Sequence, residues 1–324
     1  MLINLVSYLD PFSHDGGGEM ANRELLSEGI RRGHTFTFTS MKPRKNEYSD
    51  KADFDLLIDI FNSPHTIKSG GFWIRFPESF LQEILNRGKF FHHNNAYVDI
   101  CNLGYLPCSG NSTALCPHKS ATRIRQNFIT RDFSKACYAT SGAVRNFFTN
   151  SLANSFVSPL HDEVTRSVLG IADLPESIVV KPLIDTSLFH RNGELRDIEY
   201  LFVGVVSEAK GYRELREKYK DKDIHIVGKV APGITLDFGT SYGRLDYSEV
   251  ARLMTRAQNF VFTPRWPEPQ GRVVVEAALS GCNLILNDNV GAASFPFDLS
   301  DASNYVDSAE LFWLDVERIW EKNG

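Results

Sequence analysis

Short apolar runs alternate along the chain with longer stretches in which apolar residues recur every three or four positions. That alternation is the signature of βαβ units and parallel sheets. In the first half, the runs at 2–8, 35–39, 55–61, 90–93, 135–140 and 177–182 predict strands. A glycine-rich turn at 16–18 and a helix from 19 to about 32, closed by Gly33, follow the first strand. A second series begins at Asp197, with strands over 200–206, 224–227, 260–263 and 284–287. Helices over 208–219, 248–257 and 271–280 separate them, the last closed by Gly281. Residues 307–322 carry Leu311, Trp313, Leu314, Ile319 and Trp320 at helical spacing and predict a terminal amphipathic helix. Pro, Asp, Asn and Gly cluster at 182–197, where a domain boundary is expected. The predicted architecture is α/β, with two facing Rossmann-like doubly wound domains and a cleft between them. Residues 1–182 form the first and 183–306 the second, and 307–324 pack back on the first.

At 324 residues the chain is about twice the usual single-domain size, which agrees with two domains. Its 42% hydrophobic and 23% charged residues exclude long disorder and a small disulfide scaffold. No run of about 18 apolar residues is present, so no membrane-spanning helix is expected. The N-terminus lacks the basic and small-residue features of a secretory signal. Net charge is −5, which argues against a general nucleic-acid binder. Residues 1–180 hold 18 basic and 18 acidic side chains and the remainder 17 and 22, so neither half is a polybasic surface. The local exception is 119–135, where Lys119, Arg123, Arg125, Arg131 and Lys135 face only Asp132. A solvated helix face is the simpler reading, and contact with an anionic acceptor or membrane surface the other. Location is expected to be cytoplasmic, with at most peripheral membrane contact. Cys101, Cys108, Cys116, Cys137 and Cys282 lack the short pairings of a zinc site and read as free thiols. His118 beside them keeps a metal site as the minor alternative.

The densest chemistry lies in PRWPEPQGRVVVEAALSG, residues 264–281. Glu268 sits in a Pro-rich loop after a strand, and Glu276 about one and a half turns into the next helix. At about 1.5 Å rise per residue the two carboxylates lie roughly 10 Å apart along the axis. Between them the helix begins at Gly271, where free backbone amides and the helix dipole favour a phosphate. Gly271 has no Cβ to hinder its approach. Acid, anion site and acid in line match a nucleoside diphosphate sugar: Glu276 for ribose, the helix start for diphosphate, Glu268 for the sugar. A plain surface role for Glu276 fits poorly with its apolar neighbours Val273, Val274, Val275, Ala277 and Ala278.

With these residues the chain resembles retaining glycosyltransferases of family 4, which have the GT-B fold. The family's Glu-x7-Glu element corresponds to Glu268 and Glu276, continuing into EAALSGCNLIL. FVGVVSEAKG at 202–211 is similar to the family's FVGRL…KG turn, which implies Gly204 in that turn and Lys210 on the donor phosphates. VVKPLIDTSLF at 179–189 is similar to its interdomain segment, and HDGGGEMANRELLSEGIRRGH at 14–34 to its first loop and helix. The resemblance implies Gly17 and Gly18 under the donor sugar and near the acceptor. It also implies a histidine after the strand KFF, His92 or His93 according to register.

The chain departs from the family at Val205, where Arg is usual, and at Ala209, Arg265 and Gln270. Arg265 or Arg272 is expected to supply the cation that Val205 does not. The implied chemistry is front-face transfer of a sugar to a glycan, lipid-linked or small-molecule hydroxyl. No cofactor is implied beyond the nucleotide sugar as co-substrate. No Asp-x-Asp cation-binding element is expected, and hence no metal. A non-catalytic sugar-nucleotide or glycan binder, or a nucleotide-sugar epimerase of the same architecture, are the alternatives.

Overall fold

The structure, a computed structural model, describes residues 1–13, 16–60, 76–101, 106, 142–171 and 173–323. Pro182–Val306 forms one compact unit. The described residues before it, joined by residues 307–323, form another.

In the first unit the chain runs through β1 (Leu2–Leu9), α1 (Gly17–Arg31), β2 (Thr35–Lys42), β3 (Arg44–Asn46) and β4 (Phe54–Ile58). It continues through α2 (Glu78–Arg87), β5 (Phe90–Asn94), α3 (Gly142–Thr149), β6 (Ala153–Phe156), α4 (Pro159–Leu169) and β7 (Ser177–Val179). The sheet order is β3-β2-β1-β4-β5-β6-β7, parallel except for β3 on β2. Helices on both faces explain why every residue of β4 and β5 is buried. Strand order reverses between β1 and β4, the place where open α/β sheets bind ligands at their carboxyl edge.

The terminal helix α8 (Ser308–Asn323) belongs to this unit. Trp313 is fully buried and donates its indole N–H to Leu25 O at 2.6 Å. Glu317 accepts from Arg32 at 2.5 Å, and the Trp320 ring packs at a tilt on Phe54, centroids 5.4 Å apart.

The second unit contains β8 (Ile198–Val203), α5 (Tyr212–Tyr219), β9 (Ile224–Val227), β10 (Thr240–Gly243) and α6 (Tyr247–Arg256). β11 (Ala257–Phe262), α7 (Arg272–Leu279) and β12 (Asn283–Leu286) complete it. Its all-parallel order is β10-β9-β8-β11-β12, so β8 and β11 are neighbours at the reversal.

Several expected boundaries move, each for a local reason. α1 begins at Gly17, so the glycines expected in a turn form its cap and first residues. α5 begins at Tyr212 rather than 208: Lys210 N–H donates to Ser207 O at 3.1 Å and Gly211 N–H to Glu208 O at 3.2 Å, closing a turn first. The strand expected over 200–206 ends at Val203, and that expected over 260–263 starts at Ala257. The sequence pattern passed over β6, whose Asn154 and Ser155 look like loop residues. Both are buried because Asn154 Nδ2 donates to Phe148 O at 2.8 Å and Ser155 Oγ meets His93 at 2.7 Å. α2, α3, α4, β3 and β10 were likewise not anticipated. The strand expected over 135–140, the basic stretch 119–135, His14, His118, Cys108, Cys116 and Cys137 lie outside the described residues. Cys101 and Cys282 are buried free thiols.

Candidate functional site

The reversal in the second sheet brings two loops side by side. The loop after β8 carries Gly204, Val205 and Lys210, and the loop after β11 carries Arg265 and Glu268. Arg265 N–H donates to Ala209 O at 2.9 Å, tying the loops together. At Gly211 the backbone has φ +82°, and an added Cβ would lie 2.2 Å from Thr263 O. Only glycine allows that approach.

Across this seam the Lys210 ammonium donates to Glu268 Oε2. It also lies 5.2 Å from the ring centre of Phe262 and 5.3 Å from that of Trp266. A cation with a carboxylate on one side and two aromatic faces on others is held in place by several weak terms. Glu268 is fixed through its backbone as well, with its N–H on Asn289 O at 2.7 Å and its carbonyl accepting from Gly291 N–H at 2.9 Å.

Gly271 precedes α7 with φ +77°, ψ +54°, a left-handed cap that turns the loop into the helix without a side-chain cap of its own. Arg272 is the first helical residue. Glu276 follows one turn later and is 3% exposed among Val274, Val275 and Ala277. Tyr247 O–H donates to Glu276 Oε1 at 2.7 Å, and Arg272 Nη2 lies 3.9 Å from the same oxygen. Burial pushes the Glu276 carboxyl above its ordinary value, while Arg272 and Tyr247 oppose that rise. Glu276 is therefore an interior acid with specific partners, and Glu268 flanks the same helix start from the loop before it.

Arg265 is placed differently from Arg272. Its Nε lies 3.2 Å from Glu214 and its Nη1 3.5 Å from Glu208, so two acids already engage it. Val205 leaves 47% of its surface exposed in the turn. Gly204 donates its N–H to Val227 O at 2.9 Å.

In the first unit, both candidate histidines are buried and leave β5 on opposite faces. His92 packs at 4.6 Å on Phe148 of α3, with Nε2 2.8 Å from Asp99 Oδ2. His93 packs at 5.8 Å on Phe312 of α8. Its Nδ1 meets Ser155 Oγ at 2.7 Å and its Nε2 meets Asn95 Oδ1 at 3.2 Å. Burial pushes His93 down to about 4, against the pull of Asn95 and with help from nearby His92. The ring is thus neutral at pH 7. Asn95 Nδ2 donates to Asp59 Oδ2 at 3.2 Å.

Asp59 follows β4 with φ +51°, the one non-glycine residue with positive φ among those described. Burial raises its carboxyl well above the ordinary value, and the charge of Asp99 adds to the rise. Gly17 and Gly18 open α1 beside this group. A Cβ at Gly17 would meet nothing within 4 Å, and one at Gly18 only Asn95 at 3.6 Å. The unit's own packing demands glycine at neither.

Tyr247, Trp266, Asn95 and Asp59 were not singled out by the sequence reading. The pattern Asp246-x-x-Glu249 marks Tyr247 as the first residue of a helix, and the capping box does form. Nothing local to Tyr247 reports that it reaches Glu276, 29 positions away. The spacing Asp-x-Asp does occur, at Asp53–Asp55 and Asp221–Asp223. Asp53 Oδ2 accepts from Leu2 N–H at 2.8 Å and Asp55 Oδ1 from Asn4 at 2.7 Å, so the first pair serves the sheet. Asp223 lies 3.4 Å from His225. No cluster of three metal-ligating side chains occurs among the described residues, and no helix among them is long and apolar enough to cross a membrane.

No family model matches the chain, and no curated protein matches its sequence. Solved structures do. Anabaena HepE in complex with UDP is similar over 99% of this chain and 92% of that one, with a TM-score of 0.52 and 14% identity. HepE with UDP and glucose gives a TM-score of 0.51 at 12% identity over 99% and 93%. A T4 phage BGT mutant in complex with UDP-glucose gives 0.51 at 11% identity over 100% and 90%. At these identities the likeness is one of fold, and the fold is GT-B.

Proposed function

We propose that the protein transfers a sugar from a nucleoside diphosphate sugar to a hydroxyl of a glycan, lipid-linked or small-molecule acceptor. The observation that carries this reading is Glu276, a buried acid with two specific partners, sharing a helix start with the Lys210–Glu268 pair. Within it, Glu276 accepts from ribose, the first amides of α7 and Lys210 receive the diphosphate, and Glu268 reads sugar hydroxyls. Arg272 is the better placed of the two candidate cations, because it is the first residue of α7, whereas Arg265 lies in the loop before it, paired with Glu208 and Glu214. The second unit is the donor side and the first the acceptor side, with His93, Gly17 and Gly18 at the carboxyl edge of its sheet.

In the reaction the acceptor oxygen bonds to the anomeric carbon as the carbon–phosphate oxygen bond breaks. The electron pair leaves with the nucleoside diphosphate, and the acceptor's proton passes to the departing phosphate oxygen. The family resemblance supports transfer with retention of anomeric configuration and no metal. The protein's share is positioning and stabilising the charge that grows on the phosphate. Uridine donors are the first to test, since HepE was crystallised with UDP.

A thermal-shift panel of UDP, GDP, ADP and CMP checks the nucleotide. At ~100 times its dissociation constant a ligand stabilises by roughly 2.7 kcal/mol. Incubation with the matching sugar nucleotide, with and without chelator, then reads turnover, and NMR of the product reads its anomer. No shift with any nucleotide would overturn the reading. Val205, half exposed where the family carries Arg, favours a second reading, a binder without turnover. A nucleotide shift with neither sugar transfer nor donor hydrolysis would establish that one, and release of a free epimer would point to an epimerase.

A further inference from the structure

The partners of Glu276 are arranged asymmetrically. Tyr247 O–H donates to Oε1 at 2.7 Å, and Arg272 Nη2 lies 3.9 Å from that same oxygen. Arg272 Nη2 also donates to the Tyr247 hydroxyl oxygen at 3.2 Å. A guanidinium can only donate, so the tyrosine oxygen accepts from it and its single proton is committed to Oε1. Tyr247 is itself fixed. The capping box of Asp246 and Glu249 sets the start of α6, and the ring meets Phe189 edge-on at 4.9 Å. Both contacts to the carboxylate fall on Oε1.

We propose that Tyr247 is a positioning residue for ribose recognition, holding Oε1 of Glu276 so that Oε2 is presented to one ribose hydroxyl of a bound nucleoside diphosphate. The inference rests on the nucleotide reading above and deepens it. A carboxylate free on both edges can grip the 2′ and 3′ hydroxyls together. One edge committed to Tyr247 leaves a single strong acceptor, so the two hydroxyls contribute unequally. Tyr247 does not touch the ligand in this arrangement and acts through Glu276.

The test takes whichever of UDP, GDP and ADP binds the full chain most tightly and compares it with its 2′-deoxy and 3′-deoxy forms by calorimetry. Wild type is expected to disfavour one deoxy form by about tenfold or more, the scale of a charge-assisted hydrogen bond, and the other by less than about threefold. In Tyr247→Phe, which keeps the ring on Phe189 and frees Oε1, the two ratios should come within about threefold of each other with the melting temperature little changed. A lower melting temperature with both ratios unchanged would mean that Tyr247 is only structural, and would overturn the proposal. Equal discrimination against both deoxy forms by wild type would also overturn it. Either result leaves the nucleotide reading intact, whereas failure of wild type to bind any of the three diphosphates removes that reading itself.

Discussion

The two sheets each end in a polar cluster at their carboxyl edge, and the clusters are built on different principles. In the first unit, side-chain hydrogen bonds link Ser155, His93, Asn95 and Asp59 in a chain that runs from buried Ser155 and His93 to part-buried Asn95 and Asp59. In the second, an acid and a cation meet at a partly open seam, and only Glu276 is fully withdrawn from solvent. Burial therefore dominates the electrostatics of the first cluster, holding His93 neutral and raising Asp59. In the second, burial raises Glu276 as well, but there Arg272 and Tyr247 oppose the rise. A chain of hydrogen bonds specifies geometry, whereas an ion pair beside a helix start can yield one partner to a competing anion.

The contrast breaks most readily at Glu276. Glu276→Ala should lower affinity for the preferred nucleoside diphosphate by more than about 100-fold in calorimetry, since it removes the acceptor and leaves Tyr247 and Arg272 without their shared partner.

In the first unit the largest expected effect is on pH dependence. The folded His93 titrates near 4, well below the usual 6.5, so its contribution is complete above pH 6.5 and is lost as pH falls toward 4. The unfolded chain takes up a proton there that the folded ring refuses. His93→Gln should remove up to about 3 kcal/mol of that acid destabilisation, measured as the difference between two denaturant-derived stability curves from pH 7 to pH 4. His161 is displaced the same way, to about 3, so the wild-type slope is not abolished. Parallel curves for the two proteins would mean that His93 is not held neutral.

Lys210→Met keeps much of the side chain's length against Phe262 and Trp266 while removing the charge. Affinity for the diphosphate should fall about tenfold, with affinity for the nucleoside alone unchanged. Equal loss for both ligands would place Lys210 away from the phosphates. The smallest effect is expected at Arg265, part exposed and tied to Glu208 and Glu214. Pairs of that kind contribute about 0–1 kcal/mol, so Arg265→Ala should change nucleotide affinity by less than about threefold. A loss matching that of Lys210→Met would make Arg265 the missing cation.

Helix and strand order in the second unit, the polar β10 apart, was legible because its apolar runs are separated by clear stops at Gly228, Gly271 and Gly281. The middle of the first unit was not. β6 is four residues long and carries Asn154 and Ser155, which become interior only through partners on α3 and β5. The spacing of Glu268 and Glu276 around Gly271 could be read directly, since loop and helix are continuous in the chain. Which histidine faced which helix could not, because that depends on the pairing of β5 with β4 and β6.

Local periodicity and residue spacing thus determined the α/β class, the two series of elements and the acid-flanked helix start. Tertiary structure alone decided that Lys210 reaches Glu268 across 58 positions and that Tyr247 reaches Glu276 across 29. Those contacts follow from strand order, with β8 beside β11 and α6 packed on α7. Periodicity reports which face of an element is apolar but not which element will cover it. The partner is chosen by the packing of the whole sheet.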